Sequence, residues 1–240
     1  MAEDVTSLKR KLALTYQILY MEGITKEDTL GHVSARLSGE SKSYVKPWGM
    51  GFEEVTPDNL LAMDLEGNKV EEGEGRLHSE MPIHNEIYKV RPDVNCIVHI
   101  HPFYATLLSS MWKGKILVVN QSTQHFSSGI TFYKSSELIR SKDQGKELAA
   151  TLGKSYVVLL KNHGIVTVGP TIEQTLVLTV QLEKAAHTHL TLSRFADVTE
   201  IPTEVASRWA DELINMAHCT NKLNYWSRKL KREGTGVWNG

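Results

Sequence analysis

Apolar positions recur at helical spacing near the start of the chain, where Val5, Leu8, Leu12 and Leu19 share one face over residues 5–20 and Gly23 supplies a stop just beyond. The pattern then turns β-like. Short runs at 33–37, 43–46 and 60–64 are separated by turn residues at Pro47, Gly49, Gly51, Pro57 and Glu66-Gly67-Asn68, which predicts a meander of strands. Ser79 is placed as the cap of a helix beginning at Glu80, with Pro82 in its first turn and Ile83, Ile87 and Val90 as its buried stripe. Arg91-Pro92-Asp93 ends it. A core strand is expected from Val94 to His101, then a helix over 104–111 and a strand over 116–120. The segment containing His125 and Tyr133 has no clear type, and residues 135–152 read as helix. Strands follow at 157–163 and 166–168. The longest helical pattern covers 171–194, with Leu178, Leu182, Ala185 and Leu192 on one stripe. Residues 202–230 form a helical tail, and the Gly- and Asn-rich end is expected to fray.

Length and composition narrow the possibilities. With 240 residues and 41% hydrophobic positions, the chain suits one large α/β domain over 1–240, with the helical tail starting near residue 200. A formal net charge of -1 gives no reason to expect nucleic acid or an anionic membrane as partner, so a small-molecule substrate is expected. The start, Met-Ala-Glu-Asp, shows no basic region leading into an apolar stretch, and no apolar run reaches the roughly 20 residues of a bilayer span. Two cysteines, Cys96 and Cys219, make no disulfide framework. A reducing cytoplasm is the expected location.

Chemistry concentrates in the histidines. His99 and His101 stand two residues apart at the end of an apolar strand, so their imidazoles project together while Val98 and Ile100 pack behind them. His163 ends a second apolar run, in Lys161-Asn162-His163-Gly164. Three neutral imidazoles around a divalent metal, with positions left open, form a catalytic rather than a structural arrangement. Glu80, at a helix start, is either a carboxylate complementing the helix dipole or an acid/base beside such a metal. His187 and His189 lie in the long helix and read as packing residues. The basic run 228–232 reads as a solvated face.

Taken in order, Gly31-His32-Val33-Ser34-Ala35-Arg36, Pro47 with Gly49, Ser79-Glu80 ahead of His84, Arg91-Pro92-Asp93, His99-Ile100-His101 and Asn162-His163-Gly164 resemble the motifs of the class II aldolase/adducin family. The resemblance runs from about residue 5 to about residue 195. That family includes fuculose-phosphate aldolase, ribulose-phosphate 4-epimerase and metal-dependent decarboxylases. The resemblance implies a three-layer αβα sandwich with a mostly antiparallel central sheet, and a homotetramer with sites at subunit boundaries. It assigns His99, His101 and His163 as metal ligands and Glu80 as catalytic acid/base. Zinc is the first choice of metal, with manganese or iron as alternatives.

Departures from the family pattern bear on the substrate. Phosphate-handling members carry an amide and small hydroxyl residues where this chain has His32, Trp48 and His78; Gly49 and Ser79 match. Compact donors are lost and aromatic bulk is added. Protonated His32 and His78 could still hold a carboxylate, and Arg36 and Ser34 join them as candidate substrate-binding residues. The expectation is a metal-dependent lyase cleaving a carbon–carbon bond, foremost a decarboxylase of a non-phosphorylated hydroxy-aromatic or keto acid. Alternatives are an aldolase, an epimerase or iron-dependent oxygenase, and an adducin-like binding module without catalysis.

Overall fold

In the computed structural model, residues 4–25, 29–71, 73–213 and 215–233 are described; the side chains of 211–213 and the Gly/Asn-rich end at 234–240 lie outside that set. Seven strands make one sheet: β1 His32–Arg36, β2 Ser43–Val45, β3 Leu61–Met63, β4 Cys96–Ile100, β5 Thr131–Tyr133, β6 Val157–Leu160 and β7 Gly164–Gly169, in the spatial order β3-β2-β1-β4-β7-β6-β5. The helices are α1 Val5–Met21, α2 Pro82–Val90, α3 Phe103–Met111, α4 Gln121–Gln124, α5 Lys142–Leu152, α6 Ile172–Leu192, α7 Thr203–Leu213 and α8 Met216–Glu233. No helix among the described residues is long and apolar enough to cross a membrane.

Strand alternation builds the layers. Val33, Ala35, Cys96, Val98, Ile100, Val157 and Leu159 point one way and pack with apolar residues of α1, α3, α6 and α8. Ile97, Val158, Leu160, Val166 and Val168 point the other way, against Ile83, Ile87 and Tyr88 of α2 and Leu148 and Leu152 of α5. Each fully buried Val, Leu or Ile contributes roughly 1.5–3 kcal/mol, so both helix layers are held by hydrocarbon. The three-layer α/β arrangement matches the expectation. The sheet itself is mixed, which corrects the reading of it as mostly antiparallel: α5 carries the chain from β5 to β6, so these two run parallel, while β1, β4, β6 and β7 meet their other neighbours antiparallel.

Several local expectations shift. The second helix begins at Pro82, not Glu80, and Ser79 does not cap it; Ser79, Glu80 and Met81 form a turn closed by the Ile83 N–H on the Glu80 carbonyl at 3.1 Å. Val90, read as buried, is 60% exposed. Residues 135–140 are irregular, and the helix starts only after Ser141, whose side chain and that of Gln144 cap each other's backbone N–H groups. Residues 116–120 have no strand partner, and Asn120 instead caps α4. The tail is helical as expected, in two pieces, α7 and α8. From its basic run Lys229 reaches back to Glu22 at 2.8 Å. Both cysteines are buried and free.

Candidate metal and catalytic site

Two glycines let the histidines approach. A Cβ on Gly164 would lie 2.6 Å from the Ile100 carbonyl oxygen and 2.7 Å from His101 Cδ2, and one on Gly31 would lie 2.8 Å from Ile100 Cγ2. The chain therefore closes on β4 from both sides as bare backbone. Asn162, at φ 56°, takes the left-handed turn between β6 and β7 that presents His163. As a result, ligand atoms of His99, His101 and His163 all lie within 4.8 Å of one another. Their ring centroids are 4.9 to 5.0 Å apart.

Hydrogen bonding fixes how these rings are used. His99 donates Nδ1–H to the Ile165 carbonyl at 3.0 Å, which leaves the Nε2 lone pair directed inward. That buried nitrogen has no partner among the described residues, and neither has Nδ1 of His163. An orphaned, correctly deprotonated imidazole nitrogen beside two more imidazoles is the donor set a divalent cation satisfies. Burial above all lowers His163, to about 4, and lowers His99 as well, which favours the neutral rings that ligation requires.

Glu80 faces this trio from the turn before α2. Its Oε1 accepts the Ile139 N–H at 3.0 Å, and its Oε2 lies 3.7 Å from His99 Nε2 and 3.8 Å from His163 Nε2. Burial pushes its carboxyl up, but the closeness of His99 and His163 and the Ile139 N–H outweigh it and bring the group to about 2.

Beside the trio runs a buried polar chain. His32, paired with His99 across the β1–β4 ladder, has Nδ1 2.7 Å from His84 Nε2; His84 Nδ1 is 2.6 Å from Ser34 Oγ, which is 2.8 Å from the Tyr88 hydroxyl. Burial holds His32 and His84 well below the usual histidine range. Burial and then the nearby Lys46 ammonium take His78 down to about 3. At neutral pH His32 and His78 are therefore uncharged, which removes the expected role of protonated histidines as an anion clamp.

A cavity of about 370 Å³ opens over this cluster. Of the residues expected to meet substrate, His32, Trp48, His78 and Ser79 line it. Ser34 and Gly49 do not, and neither does Arg36, whose guanidinium donates to the carbonyls of Val94 at 3.0 Å and Arg91 at 3.1 Å and stacks on Tyr88. Gly49, at φ 83°, shapes the turn that presents Trp48, an indole half exposed and stacked on Arg76. Sequence reasoning missed Leu138 and Arg140 on the cavity wall because their segment looked helical. A surface arginine carries no sequence signal of its own. His187, stacked on Tyr104, and His189, which accepts the Leu117 N–H, stand apart from the site as expected. Tyr133 bonds to Glu147, and neither it nor His125 lines this cavity.

Fold and site together define an α/β protein with three imidazoles and a carboxylate arranged for a divalent cation. The sequence profile of the family described as Class II Aldolase and Adducin N-terminal domain matches residues 10–190, and the chain belongs to that family. Decarboxylase NovR of Streptomyces niveus is 28% identical over 207 residues, 85% of this chain and 77% of that protein. The 3,4-dihydroxyphthalate decarboxylase of Arthrobacter keyseri is 25% identical over 236 residues, 93% of each. Among solved structures, an aldolase II superfamily protein from Pseudomonas syringae superposes with a TM-score of 0.87 at 25% identity, covering 98% of this chain and 96% of that one. These similarities support a metal-dependent lyase in general terms.

Proposed function

We propose that the protein is a divalent-metal-dependent lyase that decarboxylates a non-phosphorylated hydroxy-aromatic or keto acid. The observation carrying this reading is the position of Glu80 against the three imidazoles, in a cavity whose wall holds Trp48 and Arg140. His99, His101 and His163 would hold the ion; three imidazoles suit zinc, and manganese or iron would draw further oxygen ligands. When bound, the cation supplies Lewis-acid polarisation of a chelated hydroxyl and carbonyl or carboxylate and stabilises the charge left as the bond breaks.

The chain's own residues do the rest. Glu80, ionised and held at Oε1 by Ile139, has Oε2 free to take a substrate hydroxyl proton and to return it to carbon. Trp48 offers an apolar face to a planar ring. Arg140 is exposed on the wall, and its guanidinium has no ion pair among the described residues, so it presents a fork for a second carboxylate. The decarboxylase relatives agree with an acidic substrate. The same reading takes the protein as a cytoplasmic homotetramer, which sedimentation tests.

Retro-aldol cleavage would use the same groups and is favoured by the match to an aldolase II superfamily structure. Incubating zinc- or manganese-loaded protein with panels of hydroxy-aromatic acids, keto acids and hydroxy-aldehydes separates the two. Released carbon dioxide is the expected result. New aldehyde, with no carbon dioxide from any acid, would overturn the decarboxylase reading in favour of the aldolase.

A further inference from the structure

We infer that His32 is a hydrogen-bond donor into the cavity, its proton kept on Nε2 by a one-way chain that starts at Tyr88. The inference rests on the lyase reading only for the identity of the acceptor, a substrate oxygen next to Glu80.

Tyr88 is buried, and its hydroxyl meets one hydrogen-bond partner among the described residues, Ser34 Oγ at 2.8 Å. A buried O–H without an acceptor is costly, so Tyr88 donates. Its ring face lies against the Arg36 guanidinium, 4.4 Å from the centroid, and a guanidinium accepts nothing. Ser34 Oγ accepts from Tyr88 and directs its one proton to His84 Nδ1, 2.6 Å away. His84 then carries hydrogen on Nε2. That hydrogen points to His32 Nδ1 at 2.7 Å, and two nitrogens so close share a single proton. His32 Nδ1 is therefore an acceptor, and the ring proton sits on Nε2, the nitrogen left for the cavity His32 lines. The reverse direction would strand the Tyr88 proton.

This settles between two overlapping sets of metal-ligating groups. His99, His101 and His163 form one; His32, Glu80 and His99 form another, with ligand atoms also within 4.8 Å. A nitrogen bearing hydrogen cannot ligate, so the second set is a donor beside a base rather than a metal site. An N–H fixed before substrate arrives suits the negative charge that develops on a substrate oxygen. Ser34, His84 and Tyr88 do not line the cavity and act as positioning residues.

The test uses full-length, zinc-loaded protein with ¹⁵N-labelled histidine, in which long-range ¹H–¹⁵N correlations report each ring's tautomer. His32 and His84 are both expected with hydrogen on Nε2 and a bare Nδ1. Tyr88→Phe removes the first donor and nothing else of size. It should turn His32 into a mixture of tautomers and lower kcat on the order of tenfold at unchanged zinc content. His32→Leu should lose about a hundredfold in kcat, and His32→Gln, which keeps an N–H donor, should recover most of it. Hydrogen on Nδ1 of wild-type His32, zinc ligation through its Nε2, or an unaltered tautomer and kcat in Tyr88→Phe would each overturn the inference. If no substrate is turned over, the lyase reading fails while the tautomer measurement still decides this one.

Discussion

The two faces of β4 part company at the strand's site end, past Ile97. Cys96, Val98 and Ile100 point into the hydrocarbon shared with α1, α3, α6 and α8, whereas His99, on the α2 side, points into imidazoles and a carboxylate. One face contributes stability through area removed from water. The other, past Ile97, gathers polar groups whose burial is offset by hydrogen bonds and, under the proposed function, by a cation. A five-residue strand thus divides folding from chemistry at single-residue intervals, and substitutions at neighbouring positions should fail in different ways.

The largest separation is expected at Glu80. Glu80→Gln should keep the metal while turnover falls on the order of a thousandfold, in the upper range for loss of a positioned acid/base. Elemental analysis beside a turnover assay checks it, and full turnover would remove Glu80 from the mechanism. His101→Ala should lose the metal itself, read by the same elemental analysis.

On the other face, Ile100→Ala should destabilise the fold by about 2–5 kcal/mol in urea unfolding, through lost burial and the cavity left behind. Metal stoichiometry should not change. Loss of metal without loss of stability would mean that the two faces are not separate.

Acid should weaken the site face in particular. His78 and His163 are lowered, chiefly by burial, to about 3 and about 4, while in the unfolded chain both titrate near the ordinary value of about 6.5. As pH falls below that value the unfolded state takes up their protons first, so stability is full above it and declines until the folded groups titrate. Glu80, held near 2, adds a further loss below its unfolded value of about 4.5. Melting of metal-free protein should therefore begin to shift near pH 6.5, and a flat profile down to pH 5 would contradict this. The smallest effect is expected at the rim, where Arg140→Gln should raise KM for a dicarboxylate about tenfold and leave kcat nearly unchanged.

The same division explains what could be read from sequence. The spacing of His99 and His101 in an apolar run is enough to place two rings together, because strand periodicity is local. The approach of His163 depends on Gly164 and Asn162, which the motif contained without revealing why. The start of α2 was misplaced because Ser79 looks like a cap, while Glu80 is drawn out of the helix toward His99 and His163. Residues 135–140 have helical composition, yet Ile139 gives its N–H to Glu80 and the segment lies over the cavity. A tertiary contact overrode local preference there. The three-residue β5 was missed because it exists only by pairing with β6.

The bond from the Ile139 N–H to Glu80 has one more consequence. Leu138 and Arg140, on either side of that peptide, form part of the wall, so the lining that gauges a molecule's outline also aims the carboxylate. Under the proposed function, a misshapen guest that pushes the wall outward would shift Glu80 with it. Discrimination among look-alike compounds would then register as sluggish reaction after docking more than as refusal at the door.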